Sequence, residues 1–166
     1  MEKVLIIEDD KDIVTQLKWG LSKDYRILTA NDRGTAISLI RKERPCVVTL
    51  DLGLPPAPDG AEEGFMCLKD ILEEAPHTKV IVITGNAERE SALKAVNMGA
   101  YDFYQKPIDM SELKVILRRT FYLQHIEHEN RRLREVINKE GSFEGIIGGC
   151  PKIQEVFSTI KKAAAS

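Results

Sequence analysis

The sequence predicts an α/β fold, a parallel sheet of five strands with helices on both faces. Three observations carry this expectation. Short apolar runs alternate five times with segments of helical periodicity, which is the pattern of repeated βα units. The run Cys46-Val47-Val48-Thr49-Leu50 is long and apolar enough to read as a buried strand. Four of the runs end in residues that can do chemistry: Glu8-Asp9-Asp10, Asp51, Thr84-Gly85 and Lys106-Pro107. Open α/β sheets bind ligands in the crevice at the carboxyl ends of their strands.

Residues 3–8 read as the first strand, with Val4-Leu5-Ile6-Ile7 running into the acids. Residues 12–22 form a helix with Ile13, Leu17 and Leu21 on one face. Arg26-Ile27-Leu28-Thr29-Ala30 is a short second strand, and residues 33–42 carry Ala36, Ile37, Leu39 and Ile40 at helical spacing after a cap at Asn31 or Asp32. The third strand ends at Asp51. A third helix is expected from about Gly64-Phe65 and includes Leu68, Ile71 and Leu72. The fourth strand, Val80-Ile81-Val82-Ile83, ends at Thr84. Residues 88–97 form a helix stopped by Gly99 as a left-handed C′ glycine. Tyr101-Asp102-Phe103-Tyr104-Gln105 runs into Lys106, and a fifth helix starts after Asp109, with Glu112 completing a capping-box-like pair. Five such units fit the flavodoxin-like strand order 2-1-3-4-5. In that order strands one and three flank the switch point, so Glu8-Asp9-Asp10 and Asp51 are expected to be neighbours.

The chain of 166 residues allows one domain of ordinary size and a tail. A hydrophobic content of 43% with 30% charged residues fits a soluble globular protein, and a net charge of −2 gives no footprint of a nucleic-acid binder. No apolar stretch approaches the ~20 residues of a membrane helix, and no signal-peptide layout opens the chain. Cys46, Cys67 and Cys150 lack metal-ligand spacing and read as reduced thiols of a cytoplasmic protein. From Asp109 to Asn138 there is no Gly or Pro, and a helix of that length spans ~45 Å. Ile116, Leu123, Ile126, Leu133 and Ile137 fall on alternating steps of three and four, with Arg119 and Asn130 interrupting, which is the spacing of a coiled-coil seam. The alternative is one amphipathic helix lying on its own domain. The expected organisation is a domain over 1–122, a helical linker over 123–140, and a segment over 141–166 too short to stand alone. Residues 151–163 read as a helix with Ile153, Val156, Phe157 and Ile160 apolar.

The rim residues suit phosphoryl chemistry. A carboxylate such as Asp51 attacks phosphorus only if nearby charge is neutralised. Mg²⁺ does this with one or two carboxylates plus phosphate oxygens and water, and Glu8, Asp9 and Asp51 could supply that site. Lys106 offers a compact charge to a phosphoryl oxygen and Thr84 a hydroxyl. Each alone has a plainer explanation: acids after a strand cap the next helix, an Asp before a Pro-containing loop is a turn residue, Thr84 is a β-branched strand end, Lys106 is a solvated charge, and Phe103 and Tyr104 pack the sheet. Asp10 is expected to be only a cap, because three adjacent acids cannot all face one ion. The conjunction, on four successive strand ends, favours the site.

At this point the chain resembles the receiver domain of two-component response regulators over residues 1 to about 122. Ile6-Ile7-Glu8-Asp9-Asp10, Leu50-Asp51-Leu52-Gly53-Leu54-Pro55, Thr84-Gly85 and Lys106-Pro107 carry the likeness, in order. The resemblance implies Asp51 as phosphoacceptor, Mg²⁺ held by Asp9, Asp51 and the Gly53 carbonyl with Glu8 acting directly or through water, and Thr84 and Lys106 on the phosphoryl group. It also implies Phe103 as the aromatic that turns inward with Thr84, a cis Lys106–Pro107 bond, a sensor histidine kinase as donor, and dimerisation through helix four, strand five and helix five. One departure stands out: Pro55 to Glu63 intervenes before Gly64-Phe65, an apparent insertion beside the site.

The tail, through Ile146-Ile147-Gly148 and Pro151-Lys152-Ile153-Gln154-Glu155-Val156-Phe157, is similar to the opening of the ATPase domain of activators that work with sigma-54 RNA polymerase. Gly149-Cys150 departs from that pattern, and no G-x-x-x-x-G-K-[ST] loop is present. The loop after Leu52 and the segment Tyr101–Asp109 also look like regulators of PEP-CTERM protein sorting. The expectation is the N-terminal piece of a transcription activator, not an enzyme, in which phosphorylation switches a dimer and controls the ATPase. Two rivals are an aspartate-nucleophile phosphatase, which needs a second Asp where Gly53 stands, and a flavodoxin-like nucleotide binder, which needs a phosphate loop where the acids stand.

Overall fold

The computed structural model describes residues 1–56, 60–85, 89–143, 146–147 and 155–156. The chain divides into two units, Met1–Gln124 and His125–Ser166. The first holds β1 (Lys3–Ile7), α1 (Lys11–Leu21), β2 (Arg26–Ala30), α2 (Arg33–Glu43), β3 (Val47–Asp51), α3 (Glu62–Glu74), β4 (Lys79–Thr84), α4 (Arg89–Asn97), β5 (Asp102–Gln105) and the first half of α5 (Met110–Gly141). All five strands are parallel, in the order β2-β1-β3-β4-β5, as the βα alternation predicts.

Strand alternation sorts the side chains into two cores. Leu5, Ile7, Val48, Leu50, Val80 and Val82 pack with Ala36 and Ile40 of α2, Leu68 and Ile71 of α3, and Ala95 of α4. Val4, Ile6, Val47, Ile81, Ile83 and Tyr104 pack with Leu17 and Leu21 of α1 and Leu113, Leu117 and Phe121 of α5. Fully burying a side chain such as Leu or Ile contributes ~1.5–3 kcal/mol, so both faces of the sheet stabilise the unit. Asp51 continues the row Val47–Thr49 and therefore opens on the α1/α5 side. Thr84 continues the row Val80–Val82, which the register pairs with Phe103.

The ends of the elements follow local chemistry. Asp10 caps α1, its Oδ1 accepting from the Asp12 and Ile13 amides at 2.8 and 3.4 Å. Asp32, rather than Asn31, caps α2 by accepting from Thr35 N at 2.8 Å. Gly99 takes φ 113° after α4, the left-handed conformation expected of it. Most boundaries fall within a residue of expectation, and two features differ further. α3 begins at Glu62, so Glu62 and Glu63 belong to its first turn and not to the preceding loop. Acids there complement the helix dipole, and Arg33 holds the new start, 3.6 Å from Glu63 and 2.7 Å from Asp70. The expected capping box of α5 is only half formed. Asp109 Oδ1 accepts from Ser111 N and Glu112 N, but Glu112 Oε2 accepts from the Tyr104 hydroxyl at 2.9 Å instead of returning to Asp109. α5 runs unbroken to Gly141, one residue beyond the helical linker expected over 123–140.

In the second unit an antiparallel pair, β6 (Ser142–Phe143) and β7 (Ile146–Ile147), follows α5; the sequence patterns do not indicate these strands. Residues 57–59 of the loop, residue 88 at the expected start of α4, Cys150, and the expected 151–163 helix apart from residues 155–156 lie outside the described residues. Along α5 the expected seam divides. Ile116 packs against the core of the first unit, whereas Ile126 and Leu133 are exposed, as is Val136 outside the expected seam; the side chain of the seam residue Ile137 lies outside the described residues.

Candidate functional site

Parallel pairing assembles the site from strand ends. Ile7 pairs with Leu50, which brings Glu8 and Asp51, the next residues on each chain, side by side. Asp51 pairs with Ile83, the residue before Thr84, and Thr84 pairs with Gln105, the residue before Lys106. The Lys106 amide then donates to the Thr84 carbonyl at 2.7 Å. Its ammonium reaches across to Asp51 Oδ2 at 3.2 Å and Glu8 Oε2 at 3.1 Å. Glu8, Asp9 and Asp51 each offer an oxygen, all within 4.8 Å of one another. Asp10 is spent on the helix cap.

Two carboxylates, Glu8 and Asp51, face one ammonium in a largely buried site, and Thr84 is buried as they are. Burial first, and the Asp51 charge second, push the Glu8 carboxyl up to about 7, with Lys106 opposing them. For Lys106, burial alone would favour the neutral amine, but Asp51 and Glu8 outweigh it and raise its pKa. It therefore remains an ammonium. Glu8 Oε1 accepts from the Asp10 amide and from Lys106, both at 3.4 Å. Glu8 Oε2 is close to Lys106 but off hydrogen-bonding geometry, and it has no hydrogen-bond partner among the described residues. A buried carboxylate oxygen without a hydrogen bond is costly. The donor set, all carboxylate oxygens, suits a hard divalent cation such as Mg²⁺.

Gly53 stands at the apex of a tight turn in which the Leu54 amide donates to the Leu52 carbonyl at 2.9 Å. The buried Leu52 and Leu54 anchor that turn on either side. Lys106–Pro107 is cis, as is Pro55–Pro56. Phe103 is 37% exposed and its neighbour Tyr104 8%, so the two aromatics lie on opposite sides of β5. A cleft of about 350 Å³ opens beside the acids, lined by Glu8, Asp9, Lys11, Lys18 and Asn31 among others. A larger apolar groove of about 610 Å³, bordered by Trp19, Gly20 and Met110, contains none of the site residues. Among the described residues Cys46 and Cys67 stay out of the chemistry: burial pushes the Cys67 thiol up to about 12 and raises Cys46 as well.

Sequence patterning did not single out Tyr104 as a polar participant. Its hydroxyl accepts from the Asp109 amide at 3.0 Å and donates to Glu112. The available signal was a buried phenol two residues before Lys106, since a buried Tyr hydroxyl needs a partner.

Comparison with known proteins agrees with the geometry. Residues 4–118 match the response regulator receiver domain. The chain is 28% identical over 167 residues to the regulatory protein AtoC of Escherichia coli strain K12, covering 100% of this chain and 35% of that protein. It is 31% identical over 162 residues to the nitrogen assimilation regulatory protein NtrX of Azorhizobium caulinodans, covering 96% of this chain and 34% of that one. Among solved structures, NtrX from Brucella abortus in complex with ADP superposes with a TM-score of 0.75 at 26% identity, covering 99% of this chain and 34% of that chain. The signal receiver domain of a LuxO repressor protein from Vibrio parahaemolyticus gives 0.69 at 26% identity, covering 76% and 95%. The chain thus spans about a third of the length of these curated relatives.

Proposed function

This chain belongs to the response regulator receiver domain family, and from that premise we propose that it is the phosphoacceptor module of a two-component transcription regulator. An Asp51 carboxylate oxygen attacks the phosphorus of a phosphohistidine presented by a sensor histidine kinase. The phosphorus–nitrogen bond breaks and its electron pair stays on the imidazole. Lys106 takes one phosphoryl oxygen by charge and Thr84 another by its hydroxyl, so the chain contributes mainly positioning and electrostatics. Glu8, Asp9 and Asp51, with the Gly53 carbonyl, would hold Mg²⁺, which supplies positive charge beside the phosphoryl oxygens. The observation that carries this reading is the single Lys106 ammonium held between Asp51 and Glu8 amid three convergent carboxylates.

Loss of a proton-relaying carboxylate at position 53 argues against a phosphatase, because Gly53 has no side chain to protonate a leaving group. The output is a change of shape. Phosphoryl oxygens on Asp51 draw Thr84 inward, and Phe103, on the same sheet face, follows. Leu93 and Val96 of α4 are exposed, as is Phe103 of β5, and these apolar residues suit pairing of α4, β5 and α5 with a second copy. The exposed stripe of α5 within residues 123–140 then links two chains to a sigma-54 activator ATPase that opens within 141–166. Full regulators of that kind would contact RNA polymerase and DNA.

Incubation with acetyl phosphate and Mg²⁺ followed by intact mass tests the reading. The parent gains one phosphoryl group, and Asp51→Asn gains none that persists, because an amide forms no acyl phosphate. A stable adduct on the variant would move the site elsewhere.

A further inference from the structure

We infer that Tyr104, acting through Glu112, is the positioning residue that holds Lys106 on the phosphoryl site and ties the site to α5. This inference rests on the phosphoacceptor reading of Asp51. Lys106 ends in a flexible four-carbon stem, so where its ammonium sits depends on where its backbone is held. Two clamps hold that backbone. The near one is the 2.7 Å bond from the Lys106 amide to the Thr84 carbonyl. The far one closes the turn that follows: the Asp109 amide donates to the Tyr104 hydroxyl at 3.0 Å, and that hydroxyl donates to Glu112 Oε2 at 2.9 Å.

Tyr104 thus spans the turn it precedes. Its ring lies in the core with Ile81, Ile83, Leu113 and Leu117, and its oxygen reaches Asp109 and Glu112 at the start of α5. Asp109 and Glu112 flank the first turn of that helix, and Asp109 also accepts from the Ser111 and Glu112 amides. Burial raises the Tyr104 hydroxyl pKa, with Glu112 adding to that effect, so the group stays protonated and can serve as donor and acceptor at once. Phe103, which faces the opposite side of β5, shares the backbone of Tyr104. A shift of the β5 backbone at Phe103 would therefore reach Asp109 and Glu112 through the Tyr104 hydroxyl. A phenylalanine at 104 would fill the same core space but leave the Asp109 amide and Glu112 without their shared partner.

The test compares Tyr104→Phe, Glu112→Ala and Glu112→Gln with the parent over the full chain. It measures thermal unfolding, Mg²⁺ affinity by calorimetry, and the rate of acetyl-phosphate labelling at saturating Mg²⁺. A hydrogen bond to a charged group corresponds to roughly one power of ten in rate. Tyr104→Phe and Glu112→Ala should unfold cooperatively and bind Mg²⁺ as the parent does, yet label about tenfold more slowly. Glu112→Gln keeps an acceptor oxygen and should restore most of the rate. Labelling of Tyr104→Phe at the parent rate would overturn the inference while leaving Asp51 as phosphoacceptor. Loss of Mg²⁺ affinity in step with rate would overturn it too, by exposing a general structural role. A parent chain that takes no phosphoryl group on Asp51 would instead remove the reading on which the inference rests.

Discussion

Gly64 brings α3 so close to Leu52 that a Cβ at position 64 would lie 2.4 Å from the Leu52 Cα and 2.6 Å from its carbonyl oxygen. Leu52 follows Asp51, so this contact sets how α3 meets the strand end that carries Asp51, the proposed phosphoacceptor. Glycine inside a helix costs about 1 kcal/mol relative to alanine, and the close approach is what it provides in return. Gly64→Ala should therefore destabilise despite its better helix propensity. The obstacle is backbone, which yields little, so the loss should reach the upper part of the ~1–3 kcal/mol range for overpacking. Calorimetry should show the melting temperature falling by several degrees. An unchanged melting temperature would mean that α3 can shift away without penalty.

Glu8 predicts an unusual pH dependence. Its carboxyl rises from an ordinary 4.5 to about 7 in the folded chain, through burial and then the Asp51 charge. Between those values the folded state keeps a proton that the unfolded state has released. Stability from this group is thus greatest at the acid end and falls as pH rises from about 4.5 to 7. Mg²⁺ favours the ionised carboxylate, so stabilisation by the ion should grow across the upper part of the same window. Comparing melting curves of the parent and Glu8→Gln from acid to neutral pH isolates the effect. Parallel curves for the two proteins, with and without Mg²⁺, would mean that Glu8 does not titrate there.

The loop beside the site is shorter than the sequence suggests. Glu62 and Glu63 are helical, and Leu54 is fully buried in the core, so the dispensable part lies between Leu54 and Glu62. Pro-rich surface loops tolerate change. Excising residues 56–60 should leave the acetyl-phosphate labelling rate nearly unchanged, while altering how fast different kinases donate. If the small-donor rate collapses, the loop organises the site itself.

What the sequence made legible was what local rules encode. Apolar runs located the five strands, and the residues ending them located Glu8, Asp9, Asp51, Thr84 and Lys106 as a group, because strand register alone brings these ends together. Asp10 could be set aside by counting which acids face one ion, and it is indeed a cap. The start of α3 was not legible because Ala61 offers no capping side chain, and Arg33, which pairs with Glu63 of its first turn, is far away in sequence. The Tyr104–Glu112 link escaped for a related reason: a capping-box spacing at Asp109 and Glu112 predicts a local exchange, and a phenol from β5 intercepts it. Two-residue strands such as β6 and β7 carry no period to read. The proposed roles of Gly53 and Phe103, and of Thr84 as the partner of Phe103, came from resemblance rather than from spacing.

The exposed stripe on α5 sets the last prediction. Ile126, Leu133 and Val136 are between 41% and 49% exposed, whereas Ile116 is taken up by the core of its own unit. A pairing seam would therefore begin after that core and not at Ile116. Asn130 lies within it, exposed, its side-chain amide donating to the Ile126 carbonyl at 3.1 Å. A polar residue in such a seam lowers stability but fixes register, and here it would have to give up its local bond to reach a partner helix. Asn130→Leu should tighten a dimer and loosen its register. Ile126→Asp combined with Leu133→Asp should split it, because buried unpaired charge is costly. Labelling of Asp51 should survive both changes, since the site is built from strand ends of the first unit. Sedimentation of the parent and both variants, with and without acetyl phosphate, decides the matter. A parent that stays monomeric on the order of tens of micromolar, labelled or not, would leave the stripe without a second copy to cover it.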